Sequence, residues 1–170
     1  MIVSILVLAL VTAQRLGELV LARRNTRRLM ARGGREVGAG HYPLLVLLHA
    51  AWLAGLWALA WDRPIRWPWL AAFAVLQSLR VWVIASLGER WTTRIIVLPG
   101  APLIRRGPYR FLPHPNYLVV AGEIAALPLS FGLGLYAAVF SLLNAAVLTI
   151  RLRAETRALK VGPCVNADGS

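Results

Sequence analysis

Hydrophobic positions along this chain come in long unbroken runs, not in the alternation of a half-buried strand or the narrow stripe of a surface helix. Ile2–Leu21, Leu44–Trp61, Trp69–Leu87 and Leu133–Ile150 each approach the roughly 20 apolar residues that a helix needs to cross a bilayer core of about 30 Å. A fifth run, Leu118–Leu129, is shorter; about 12 helical residues rise only about 18 Å. The pattern predicts an all-α integral membrane protein of about five transmembrane helices, four of them firm and one short or tilted, with the last two as a C-terminal hairpin. It predicts a single domain over residues 1–160, a three-helix N-terminal part over 1–87 and a second part over 88–160. Residues 161–170 read as a disordered tail.

Composition agrees with the runs. The chain has 170 residues, 58% of them hydrophobic, and a mean hydropathy of +0.62, where soluble domains are about 45–50% apolar. The net charge of +12 would suit nucleic acid, but its distribution argues against that partner. Arg23, Arg24, Arg27, Arg28, Arg32 and Arg35 fall in the first loop, and only Arg63 and Arg66 in the second. Arg90, Arg94, Arg105, Arg106 and Arg110 follow the third run, and Arg151, Arg153, Arg157 and Lys160 the last. Rich and poor loops alternate as the positive-inside rule requires. The expected topology therefore puts the N-terminus outside and the residues around 90–110 and the C-terminus in the cytoplasm. It holds only if the short segment and the last run form an even pair or a re-entrant hairpin. A cleaved signal peptide fits poorly, because no positive charge precedes the first run. The single cysteine, Cys164, makes no intrachain disulfide or zinc cluster.

Between the spans, Arg23–Gly40 reads as a polar connection, helical in part before Gly33, and the tryptophans of Trp61–Trp69 suit an interfacial aromatic belt. The segment "WTTRIIVLPGAPLIRR", Trp91–Arg106, is β-branched and then turn-like. It is either a plain connector or a flap or wall over a cytoplasm-facing site.

Polar residues inside a membrane are expensive and tend to be functional. Arg15 and Glu18 share a helix face, with Gln14 adjacent, and read as an internal ion pair. Arg80, three residues after Gln77, either snorkels to the interface or turns into a site. His49 stands alone in the second run and reads as a packed histidine bonded to a neighbour. On the last run, Asn144, Arg151 and Glu155 lie at about 0°, −20° and +20° around the helix. That stripe either lines a cavity or combines a helix-gluing Asn with a solvated pair. Asn116 and Glu123, seven apart, share a face in the same way, which suggests one polar cavity between the two helices.

The most rigid stretch in the chain is "GPYRFLPHPNYL", Gly107–Leu118. Each proline restricts the residue before it, and Pro115 fits the first turn of a helix. The stretch forms a non-helical approach to the short helix, presenting His114, Tyr109 and Tyr117 at the membrane surface.

This stretch, Glu123, "LPLSFG" at Leu127–Gly132 and "NAAVLTIRLRAETRAL" at Asn144–Leu159 resemble the isoprenylcysteine carboxyl methyltransferase family. The resemblance covers about Leu87 to Leu159. It implies a small bundle of transmembrane helices with a cytoplasm-facing pocket for S-adenosylmethionine. It implies that Tyr109, His114, Pro115, Tyr117, Asn144, Arg151 and Glu155 form that pocket, and that His114, Glu123 and Arg151 are the candidates for catalysis. Where the family has Arg before His-Pro, this chain has Pro113.

Methyl transfer from a sulfonium is an in-line displacement served by positioning and water exclusion, and it needs no metal. The chain is similar in its motifs to a bacterial branch of that family, and this resemblance implies a small lipophilic acceptor, O-methylated, such as a long-chain phenolic or pyrone polyketide. A phenol would benefit from a base, His114 or Glu123. Prenylcysteine carboxyl or phospholipid-amine methylation is the alternative within the class. A non-catalytic membrane scaffold or small transporter is the alternative outside it. The expected setting is a bacterial inner membrane, with membrane lipids around the chain.

Overall fold

The computed structural model describes residues 1–102 and 104–161, apart from the side chains of His41 and of residues 154–161. The expected tail, with Cys164, and the side chain of Glu155 lie outside the described residues. Among the described residues the chain forms five α-helices: α1 (Ile2–Ala31), α2 (Tyr42–Ala60), α3 (Trp67–Leu87), α4 (Pro115–Ser130) and α5 (Gly134–Val161). Short 3₁₀ turns cover Ala39–His41, Gly88–Arg90 and Gly107–Arg110.

Four of the helices, α1, α2, α3 and α5, are long and apolar enough to cross a membrane. α4, at 16 residues, rises only about 24 Å. Many large apolar side chains face outward, among them Leu10, Val20, Leu47, Leu135 and Leu142. A soluble fold would bury them or pair them; here they meet lipid, and the chain is an all-α membrane protein.

α1 has 30 residues and spans about 45 Å, so its arginine-rich last third stands clear of the apolar core. The polar connection is thus helical as far as Ala31. Beyond it, Arg35–Val37 forms a strand, β1, that pairs antiparallel with β2, Ile95–Val97, in the register Arg35↔Val97, Glu36↔Ile96 and Val37↔Ile95. The sequence pattern offered an extended segment near β2 but not its partner, which comes from the first loop. Asn25, buried on α1, donates to the carbonyls of Gly88 (3.1 Å) and Trp91 (2.8 Å). This ties the end of α1 to the segment after α3.

The opposite end is closed by other bonds. Ser4 Oγ donates to the Arg63 carbonyl at 2.6 Å, and the Arg66 amide to the Ser130 carbonyl at 2.7 Å. The apolar core fills this half, with Leu8, Trp52, Leu56, Phe73, Ile124, Leu127 and Phe131 packed together. α4 runs from the arginine-rich end to this one, and α5 returns. The two form the expected C-terminal helical hairpin, which leaves the arginine-rich half of the bundle open for a site.

Candidate functional site

Gly107 opens the rigid stretch with a φ of 58° and stands so close to Ser86 and Trp82 on α3 that a Cβ would overlap the serine. Only glycine meets both demands. Arg106 Nε donates to the Ser86 carbonyl at 2.8 Å and holds the same junction. From this anchor the chain passes Tyr109 and Pro113 to His114, whose φ of −134° is outside the helical range and which caps α4; Pro115 follows as the first helical residue.

His114 stacks on Tyr117, with ring centroids 5.3 Å apart and planes at 12°. Tyr117 in turn meets α5: Arg151 Nε donates to its hydroxyl at 3.0 Å, and the guanidinium lies 5.7 Å from its ring centre. Arg151 Nη1 donates to the Thr93 carbonyl at 2.7 Å. One buried arginine thus joins α5, the start of α4 and the segment leading to β2. This segment, open in the sequence between a connector and a flap or wall, lines both cavities through Trp91 and Thr92.

Two cavities meet at this arginine and share Trp91, Thr92, Asn116, Tyr117 and Arg151. The smaller, about 170 Å³, lies toward the arginine-rich end, and Arg90, Arg94, Tyr109, Pro113 and His114 also line it. Arg94 is held there by a forked contact with Glu36 on β1, at 2.8 and 3.1 Å, and lies 4.6 Å over the Tyr42 ring. The larger, about 270 Å³, reaches into the bundle between α1 and α2. Its rim there is apolar, with Leu16 (59% exposed) and Val46 (40% exposed) facing outward. The Trp57 Nε1 to Thr12 Oγ1 bond, 2.9 Å, joins the two helices farther along.

The larger cavity also touches a buried charge cluster. Arg80 donates to both oxygens of Glu18 at 2.6 Å and to Glu123 Oε2 at 3.0 Å. Arg15 donates to Glu18 at 3.0 Å and to Glu123 Oε2 at 2.7 Å. Gln14 and Gln77 exchange bonds beside it, at 3.2 and 3.0 Å. Two cations meet two anions, so the cluster is neutral overall. The expected Arg15–Glu18 pair is present within a larger unit, and Arg80 turns inward instead of snorkelling. Glu123, 1% exposed, belongs to this cluster and lines neither cavity.

The structure therefore brings Tyr109, His114, Tyr117 and Arg151 to one place, with Pro115 setting the helix start behind them. Asn144 is buried on α5 two turns before Arg151 and lines neither cavity, and its Oδ1 has no hydrogen-bond partner. Asn116 Oδ1 is likewise buried and unpartnered, at the boundary of the two cavities. Glu155 sits on α5 one turn beyond Arg151. Trp91, the Thr93 carbonyl and Tyr42 complete the site from segments whose sequence carries no chemical signature.

A family model for the isoprenylcysteine carboxyl methyltransferase family matches residues 69–161, somewhat over half of the chain, and takes in α3 as well as the motifs. The chain is 38% identical over 161 residues to the uncharacterized protein YpbQ of Bacillus subtilis (strain 168), covering 91% of this chain and 95% of that one. It is 26% identical over 158 residues to an uncharacterized protein of Haemophilus influenzae (strain ATCC 51907 / DSM 11121 / KW20 / Rd), covering 89% and 91%. No solved structure matches. The chain belongs to the isoprenylcysteine carboxyl methyltransferase family, a family of membrane methyltransferases that generally use S-adenosylmethionine.

Proposed function

We propose that this protein is a membrane methyltransferase that binds S-adenosylmethionine in the smaller cavity and a small lipophilic acceptor in the larger one, and that the methyl group goes to an acceptor oxygen. The observation that carries the reading is the shared wall of Asn116, Tyr117 and Arg151 between a polar cavity and an apolar one. A charged, water-soluble methyl donor and a greasy acceptor need such a pair of chambers with one common boundary.

The residues present fit the cofactor. Its carboxylate suits the guanidiniums of Arg90 and Arg151. Its cationic groups suit oxygen acceptors, of which Asn116 Oδ1 is buried and without a partner. Its base suits the aromatic faces of Tyr109 and His114. When bound, the cofactor supplies an activated methyl group on sulfur. The chain's part is to hold the two molecules in line and keep water out. Arg151 is fixed from two sides, by Tyr117 and by the Thr93 carbonyl, so it costs little reorganisation to keep it at the boundary. The outward-facing Leu16 and Val46 at the rim of the larger cavity favour an acceptor that arrives from lipid, such as a long-chain phenol or pyrone. The charge bias of the loops favours a cytoplasmic position for the arginine-rich end, in a bacterial inner membrane.

The test is equilibrium binding of labelled S-adenosylmethionine to detergent-purified protein, followed by transfer of the label into a lipid extract. Saturable binding with transfer supports an enzyme. Absence of binding by folded protein would leave a scaffold or transporter on this fold.

A further inference from the structure

His49 lies on α2, ahead of the family-matched residues, and lines the larger cavity together with Arg15, Glu18, Arg80, Tyr117 and Arg151. Its Nδ1 sits 2.9 Å from the Leu45 carbonyl, one turn back on its own helix. A carbonyl only accepts, so this nitrogen carries the ring hydrogen. In the neutral ring, Nε2 is then an acceptor, and no hydrogen bond to it is found among the described residues.

Where α1 and α3 wall the cavity beside His49, the polar donors are committed or enclosed. All three guanidinium nitrogens of Arg80 donate to Glu18 or Glu123, and both terminal nitrogens of Arg15 do the same. Thr12 Oγ1 accepts from Trp57 and donates to the Leu8 carbonyl at 2.7 Å. Arg15 Nε and Trp52 Nε1 lack partners but are sealed by surrounding protein. An anionic group at this α1–α3 wall would find no open donor and a carboxylate nearby, Glu18; the free donors of the cavity lie at its other end, around Arg151 and Asn116. A hydroxyl would find an open acceptor.

We infer that His49 Nε2 accepts a hydrogen bond from a hydroxyl of the lipophilic acceptor, which makes His49 a specificity-determining residue that selects a hydroxyl-bearing amphiphile over a carboxylate in this part of the cavity. This rests on the reading of the larger cavity as the acceptor site. His49 was expected from sequence to be a packed histidine bonded to a neighbour. It is bonded as expected, and the bond itself turns the other nitrogen into a reader.

The test compares two probes, a radiolabelled long-chain alkylphenol and its methyl ether, which keeps the chain and ring but has no O–H to donate. Each is titrated against the purified full chain and its His49→Leu and His49→Gln variants, with S-adenosylmethionine binding measured alongside. The wild type should bind the phenol about tenfold tighter than the ether, as one buried hydrogen bond predicts. His49→Leu should lose that preference, His49→Gln should keep part of it through its amide oxygen, and cofactor binding should stay unchanged in both. An equal preference for the phenol in wild type and His49→Leu overturns the assignment, as does wild type that shows no preference. Loss of cofactor binding in the wild type itself is a separate result, which would remove the methyltransferase reading instead.

Discussion

Arg151 Nε lies 3.0 Å from the Tyr117 hydroxyl, although the two residues belong to opposite arms of the α4–α5 hairpin. The contact forms because α4 starts at Pro115 and α5 runs far enough past its apolar run to bring Arg151 back level with that start. It closes the end of the hairpin and builds the boundary between the two cavities in one step.

Removing that acceptor should be felt at the cofactor. Tyr117→Phe keeps the ring against His114 but deprives a guanidinium of one partner. A hydrogen bond to a charged group contributes about 1.5–3 kcal/mol, so S-adenosylmethionine should bind about tenfold to a hundredfold more weakly. Arg151→Lys should not do better, because one ammonium cannot replace a planar fork held by Tyr117 and Thr93 together. Equilibrium binding on both variants decides; wild-type affinity in Tyr117→Phe would show that the pair only staples the hairpin.

Glu123 poses a different question, because the sequence left it open as a base. Its contacts are Arg15 and Arg80, and breaking a buried ion-pair cluster by deleting one member costs about 3–5 kcal/mol. Glu123→Ala should therefore melt well below wild type in detergent, yet bind S-adenosylmethionine normally below its new melting temperature. A variant with unchanged melting and abolished methyl transfer would return Glu123 to the chemistry.

How far the sequence could be read follows from which forces act locally. Each membrane helix was legible because its apolar run is a property of contiguous residues, and α4 was legible as short for the same reason. Arg15 with Glu18 was legible because three residues on a helix share a face. Glu123 joining them was not: that contact depends on the rotation of α4 against α1, which no local pattern encodes. The β1–β2 ladder was hidden for a similar reason, since its two three-residue strands lie in loops far apart in sequence and pair only once α1 and α3 are packed. At the site, the His-Pro-Asn-Tyr and Arg-x-x-x-Glu spacings pointed to His114, Tyr117 and Arg151 through the resemblance. The Thr93 carbonyl that fixes Arg151 is a backbone atom and leaves no mark in sequence.

Orientation in the membrane follows from charge and can be read directly. Arg27→Cys and Asp62→Cys, both at exposed positions on opposite ends of the bundle, are introduced singly into a Cys164→Ser background. In intact cells an impermeant thiol reagent should label position 62 and spare position 27, because the arginine-rich end is held inside. Labelling at position 27 alone would invert the protein and place the smaller cavity at the outer face.

Pro113 is where this chain leaves the pattern of its family, and the structure now gives it surroundings. It is exposed, it lines the smaller cavity, and it precedes α4, so no helical hydrogen bond depends on its ring. Pro113→Arg releases Leu112 from the pre-proline restriction and should cost about 0.4–1 kcal/mol through the unfolded state. In return it sets a guanidinium at the mouth of a cavity suited to a carboxylate. S-adenosylmethionine binding should be retained or modestly tighter, with a slightly lower melting temperature. The competing possibility is that the proline aims His114 onto Tyr117, the stack seen at 5.3 Å. In that case binding should disappear while melting stays unchanged, and Pro113→Ala should lose binding as well. Titration and melting of the two variants together separate a tolerated absence of arginine from a pocket rebuilt around proline.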